Sequence, residues 1–164
     1  MLNIRPATLA DADIIVKIAH QTWWPTYRSI LSTEQITYML DAMYVSDKVA
    51  HQIDEGEQTY ILLEEEGTPV AFASYGLRND DENVIKLHKL YCHPTTQGKG
   101  YGRKLVDAVV EATRQAGIKT LDLNVNRNNK AKDFYQKLGF TLLRDEDIPI
   151  GPYWMNDHVM RKEL

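Results

Sequence analysis

A chain of 164 residues, 43% hydrophobic and 26% charged, is ordinary for a soluble globular protein and long enough for one domain with a real hydrophobic core. Its net charge of −4 gives no basic field for nucleic acid, and neither a membrane span of roughly 20 apolar residues nor the apolar core of a signal peptide is found. The only cysteine, Cys92, leaves no partner for a disulfide and no thiolate metal cluster, so a reduced, cytoplasmic setting is expected.

Residues 2–5 read as a short first strand ended by Pro6. Asp11-Ala12-Asp13 opens a helix with acids suited to its first turn, and Ile14, Ile15, Ile18, Ala19 and Thr22 mark its apolar face. Pro25 disfavours helical geometry in the residue before it, so the helix is expected to stop near Trp24 and residues 23–27 to form an aromatic loop. Ser32 with Gln35 three residues on is a capping-box pattern for a second helix, lined by Ile36, Met39, Leu40 and Met43. A short helical piece over 47–55 ends at Gly56. Residues 59–64 and 70–77 then form a hairpin, 78–83 a polar loop, and 84–93 a strand stopped by Pro94. Leu105, Val106, Val109 and Ala112 give a helix capped at Gly117. A strand over 118–125, a helix over 130–138 and strands over 140–144 and 154–161 follow, the last two joined by an acidic loop. No internal repeat, low-complexity segment or linker divides residues 1–164, which read as a single α/β domain around a mostly antiparallel, locally parallel sheet.

Chemistry concentrates at Gln97-Gly98-Lys99-Gly100-Tyr101-Gly102, between a strand and a long helix. Alternate glycines at a helix start let backbone N–H groups approach a phosphate, favoured there by the helix dipole. A P-loop is excluded, because Lys99 precedes Gly100 and no suitably placed hydroxyl follows. A dinucleotide fingerprint fits poorly: the spacing is not Gly-x-Gly-x-x-Gly, although Asp122 lies about 20 residues on.

The same six residues resemble the Gln/Arg-x-x-Gly-x-Gly/Ala motif of the GNAT superfamily of N-acetyltransferases. Downstream, Asn128-x-x-Ala131-x-x-Phe134-Tyr135-x-Lys137-Leu138-Gly139-Phe140 resembles that superfamily's second segment, at matching spacing, and the predicted element order agrees along essentially the whole chain. The resemblance implies a GNAT fold with a splayed parallel strand pair and flanking helices. It also implies acetyl-CoA as donor: pantetheine along the strand backbone at Leu90, Tyr91 and Cys92, and the pyrophosphate on N–H groups from Gln97 through Gly98, Lys99, Gly100 and Tyr101 to Gly102. Lys99 and Arg103 add charge, and Asn128 either contacts the CoA or caps the next helix.

By the same resemblance Tyr135 is the general acid for the leaving thiolate. Many relatives carry a strand glutamate where Lys86 stands here. His88, two residues on and so expected on the same face, is the candidate base, beside the alternative of a histidine satisfied by a neighbouring carbonyl. The acceptor is expected between the first helices and the last hairpin, with Trp24 and Tyr27 as candidate contacts and an aromatic cage suited to an organic cation, beside the reading that these aromatics are core. Trp23-x-x-x-Tyr27, Leu31-Ser32-x-Glu34-Gln35 and the Asp157-His158-Val159-Met160 ending resemble bacterial polyamine acetyltransferase relatives. The expected activity is therefore transfer to a small amine or polyamine, without a metal. The alternatives are a protein N-terminus or lysine as acceptor, and a non-catalytic acyl-CoA sensor. Dimerisation is common in the superfamily, so a homodimer is an open expectation.

Overall fold

The computed structural model describes residues 1–164. Strand β1 (Leu2–Pro6) leads through a 3-10 turn to helices α1 (Ala12–Tyr27), α2 (Thr33–Met43) and α3 (Ser46–Asp54). Three strands follow, β2 (Thr59–Glu65), β3 (Thr68–Arg78) and β4 (Asp81–Cys92). Helix α4 (Tyr101–Gln115), β5 (Thr120–Asn126), α5 (Ala131–Lys137), β6 (Thr141–Ile150) and β7 (Tyr153–Glu163) complete the chain. All seven strands form one sheet in the order β1-β2-β3-β4-β5-β7-β6. Every neighbouring pair is antiparallel except β4 and β5. The α/β architecture and its parallel pair are as expected from the sequence.

Alternation along the strands feeds two cores. In β2, Ile61 and Leu63 face a cluster built on Leu105, Val106 and Val109 of α4. Tyr60 and Leu62 face the opposite cluster, built on Ile15, Ile18 and Trp23 of α1 and Ile36 and Met39 of α2. Each such side chain contributes about 1.5–3 kcal/mol on burial, so both faces need their helices.

Two sequence expectations fail for identifiable reasons. Helix α1 runs through Pro25 to Tyr27, so residues 23–27 are not a loop. The proline costs one donor in the last turn, while Thr22 and Thr26 hydroxyls donate to the carbonyls of Ile18 and Thr22, both at 2.7 Å. Buried Trp23 and Tyr27 hold the turn on the core. The acidic segment after Arg144 is likewise strand, because β6 pairs with β7 as far as Ile150↔Tyr153. Its carboxylates have cationic or imidazole partners: Asp147 accepts from Arg127 Nη2 at 2.7 Å, and Asp145 lies 2.5 Å from His158 Nδ1.

Buried charge clamps the closed end of the parallel pair. Asp122, fully buried and opposite Lys86 in register, accepts from Arg161 Nε at 2.7 Å, Arg161 Nη2 at 3.0 Å and Arg78 Nη1 at 2.8 Å. Its place is structural, far from the ribose-binding acid of a dinucleotide fold.

Candidate active site

Strands β4 and β5 pair only over Ile85–Leu87 and Leu121–Leu123. Beyond Leu87 the edge of β4 facing β5 has no strand partner, and a cavity of about 860 Å³ occupies the gap. Its walls include Leu90, Tyr91 and Cys92 of β4, the glycine loop, Asn128, and Phe134 and Tyr135 of α5. Unpaired strand backbone of this kind can hydrogen-bond an extended amide-bearing chain as a further strand would.

At the cavity's far end the loop turns into α4. Gly98 and Gly100 have φ of +85° and +81°, conformations that L side chains rarely adopt. Gly102 is needed for a different reason: a Cβ there would meet Phe134 Cζ at 3.3 Å. The amides of Gln97 and Lys99 are taken up in turns, donating to Pro94 and Thr96, which corrects the expectation that every N–H from Gln97 to Gly102 is available. The amides of Gly98, Gly100, Tyr101, Gly102 and Arg103 make no such bond and sit at the positive end of the helix dipole. This cradle fits a pyrophosphate. Gly100→Val is expected to lower acetyl-CoA affinity at least about tenfold through backbone strain at positive φ, with the circular dichroism spectrum retained. Unchanged affinity by calorimetry would remove the loop from binding.

Tyr135 is held by edge contacts with Phe134 and Phe140, at centroid distances of 5.1 and 5.8 Å. The residue is 8% exposed, yet its hydroxyl has no protein partner and is not among the sealed polar atoms. Burial, with Tyr27 and Cys92 nearby, raises its pKa well above that of an ordinary phenol, so it stays protonated at neutral pH. A buried phenol normally finds a hydrogen-bond partner; here that partner must come from the cavity.

The strand in front of Tyr135 departs from alternation. Ser74 pairs with Lys89 and Tyr75 with Leu87, leaving His88 as a bulged residue without a partner. Lys86, His88, Lys89 and Tyr91 all reach a second cavity of about 340 Å³ on the α1–α3 side of the sheet. The two cavities share His88, Lys89, Tyr91, Tyr27 and Asn124 as walls. Burial, helped by Lys86 and Lys89, depresses the His88 pKa to about 4, so its imidazole is neutral at pH 7 and holds a proton only weakly.

Residues 17–140 match the model of the Acetyltransferase (GNAT) family. The chain belongs to that family. As a GNAT enzyme it is an N-acetyltransferase with acetyl-CoA as its donor. It is 29% identical to an uncharacterized N-acetyltransferase of Mycobacterium tuberculosis, over 95% of this chain and 99% of the relative. It is 27% identical to the spermidine N(1)-acetyltransferase of Thermoplasma acidophilum, over 85% and 88%. Among solved structures, the PaiA N-acetyltransferase of Thermoplasma acidophilum in complex with coenzyme A superposes with a TM-score of 0.86, at 24% identity over 100% and 99% of the two chains.

Within this GNAT enzyme the expected site residues fall into three groups. Leu90, Cys92, Gln97, Gly98, Gly100, Tyr101, Gly102, Arg103, Asn128 and Tyr135 line the larger cavity, while His88, Tyr91 and Tyr27 border both. Lys99 does not line it: its ammonium pairs with Glu65 at 3.2 Å, and the Tyr101 hydroxyl bonds the same carboxylate. Asn128 does not cap α5; that bond comes from Asn129 Oδ1, which accepts from the Ala131 amide at 3.0 Å. Trp24 lines neither cavity and is 36% exposed, because the continued helix turns Trp23 and Tyr27 inward instead.

Lys89 is the residue that sequence reasoning missed. It is 8% exposed. Its ammonium donates to Gln52 Oε1 at 3.2 Å and to the Tyr60 hydroxyl, and lies 5.0 Å from the ring centroids of both Tyr44 and Tyr60. The cation–π position in the aromatic cage is thus filled by the protein's own cation. Burial, with Lys48 adding repulsion, brings its pKa down to about 7. Strict alternation places residue 89 on the face opposite His88, and only the bulge brings them together.

Proposed function

We propose that this enzyme transfers the acetyl group of acetyl-CoA directly to a small primary amine, with Tyr135 as proton donor and His88 as proton acceptor. Acetyl-CoA supplies the activated thioester carbon. The amine lone pair forms the C–N bond, the C–S bond breaks, and its electron pair leaves on sulfur. Tyr135 protonates that sulfur, and the proton shed by the attacking nitrogen passes to neutral His88 or to solvent. One β4 backbone N–H, that of Leu90 or of Tyr91, is the candidate to steady the carbonyl oxygen, because successive amides along a strand point to opposite edges. The observation that carries this reading is the hydroxyl of buried Tyr135, which is open to the slot and has no protein partner.

The second cavity, about 340 Å³ and walled by side chains, suits a small acceptor better than a folded protein's lysine. Similarity to a spermidine acetyltransferase supports a polyamine. The aromatic cage already occupied by Lys89 weighs against a cationic acceptor. Purified protein with acetyl-CoA and a panel of primary amines is expected to release thiol only when an amine is present, with the acetylated amine detected by mass spectrometry. CoA binding without amine-dependent thiol release across the panel would overturn the transfer reading in favour of a sensor.

A further inference from the structure

The charges of the second cavity are lopsided. Lys48, Lys86 and Lys89 line it against a single acid, Asp157. None of these three lysines has a carboxylate partner: Lys48 donates to the Ala42 carbonyl at 2.9 Å, Lys89 has only neutral partners, and Lys86 makes no hydrogen bond within the protein. Asp157 accepts from Asn124 Nδ2 at 3.3 Å and has no cation within ion-pair distance, although it lies near enough to Lys86 for the two charges to favour each other. An ammonium has three donors; Lys89 uses two, so one remains free beneath the cavity. The buried indole N–H of Trp23, another wall residue, lies by the Tyr44 phenol without closing a hydrogen bond. The donors left unused in this cavity are mostly lysine ammonium groups, with the Asp157 carboxylate and the neutral His88 ring as the acceptors facing them. Around it stand Met43, Ile148, Ile150 and Met155, an apolar wall.

A buried ammonium without a carboxylate partner is costly: Lys89 loses its proton near neutral pH as a result, and an anion docked beside it would hold that proton. A polyamine would add positive charge to three lysines. A carboxylate would take up the donors that the fold leaves unpaired, and an apolar side chain would cover the methionine and isoleucine wall. We infer that the acceptor is an apolar α-amino acid, its carboxylate docked on Lys86 and Lys89 and its amine directed past His88 toward the slot. The inference rests on the transfer reading above, with the smaller cavity as its acceptor side. Lys86 and Lys89 stand three apart in sequence and face one cavity because His88 is bulged between them, so the pair is a product of strand geometry rather than of a charge run.

The test compares L-leucine, L-leucinamide, 3-methylbutylamine and spermidine as acceptors for the intact enzyme. A charge-assisted hydrogen bond lost with the carboxylate is expected to lower kcat/KM at least about tenfold from L-leucine to L-leucinamide, even though the leucinamide amine deprotonates more easily. Lys86→Met and Lys89→Met are each expected to bring that ratio to within about threefold, with CoA affinity serving as the check that the variant is folded. Equal or better turnover of leucinamide, 3-methylbutylamine or spermidine overturns the inference, as does a ratio that survives in both variants. Should no amine be acetylated, the transfer reading fails by itself and calorimetry on the CoA complex decides the anion site. N-acetyl-L-leucine binding more tightly than N-(3-methylbutyl)acetamide upholds the carboxylate dock; equal binding removes it.

Discussion

Tyr135→Phe is expected to lower kcat by about 10²–10⁴-fold, the usual scale of a positioned general acid. The substitution removes one oxygen and keeps the ring, so the contacts with Phe134 and Phe140 and the wall of the slot persist. No protein hydrogen bond is lost, because the hydroxyl makes none. The Michaelis constant for acetyl-CoA should therefore stay within about threefold and the midpoint of thermal unfolding should hardly move. A purely packing role for Tyr135 predicts full turnover in the variant, and steady-state kinetics would show it. A fall in CoA affinity matching the fall in kcat would point to binding rather than proton transfer.

Asp122→Ala is expected to cost about 3–5 kcal/mol, the scale for removing one partner from a buried ionic cluster. The carboxylate is inaccessible to solvent and meets two guanidiniums. Without it Arg161 and Arg78 are left facing each other at the end of β4 and β5, although Arg78 keeps Asp80 at 2.9 Å. Urea unfolding monitored by tryptophan fluorescence measures the loss. A change under about 1 kcal/mol would show that the cluster adds nothing beyond an exposed ion pair. Because those strands pair over only three residues, loosening this end should also raise the Michaelis constant for acetyl-CoA.

What could be read from the chain in advance was what local chemistry dictates. The glycines at 98, 100 and 102 sit at a helix start because positive φ and close packing leave little alternative, and the apolar spacing of Leu105, Val106 and Val109 dictates a buried helix face. Ser32 is the cap expected for α2, accepting from the Gln35 amide at 3.1 Å. Features set by distant partners were not legible. Pro25 looks like a stop in the sequence because the packing of Trp23 and Tyr27 that carries α1 past it is tertiary. The acidic run of β6 looks like loop in the sequence because Arg127 and His158, which answer its charges, lie 13 to 20 residues away. Lys89 escapes a reading by alternation, which is blind to an unpaired residue one position before it.

That unpaired residue has an architectural consequence. The pairing of β4 with β5 ends at Leu87, and the surplus residue is the next one. Bulges bend a strand and increase its twist, so the parting of the two strands begins where β4 carries one residue more than β3 can match. Substituting His88 alters the chemistry within the slot. Deleting it would leave Lys86, Leu87, Lys89 and Tyr91 on their present faces of a regular ladder, yet take away the bend that keeps β5 from zipping onward along β4. At this position the length of the chain, more than the identity of the side chain, determines whether there is a slot at all.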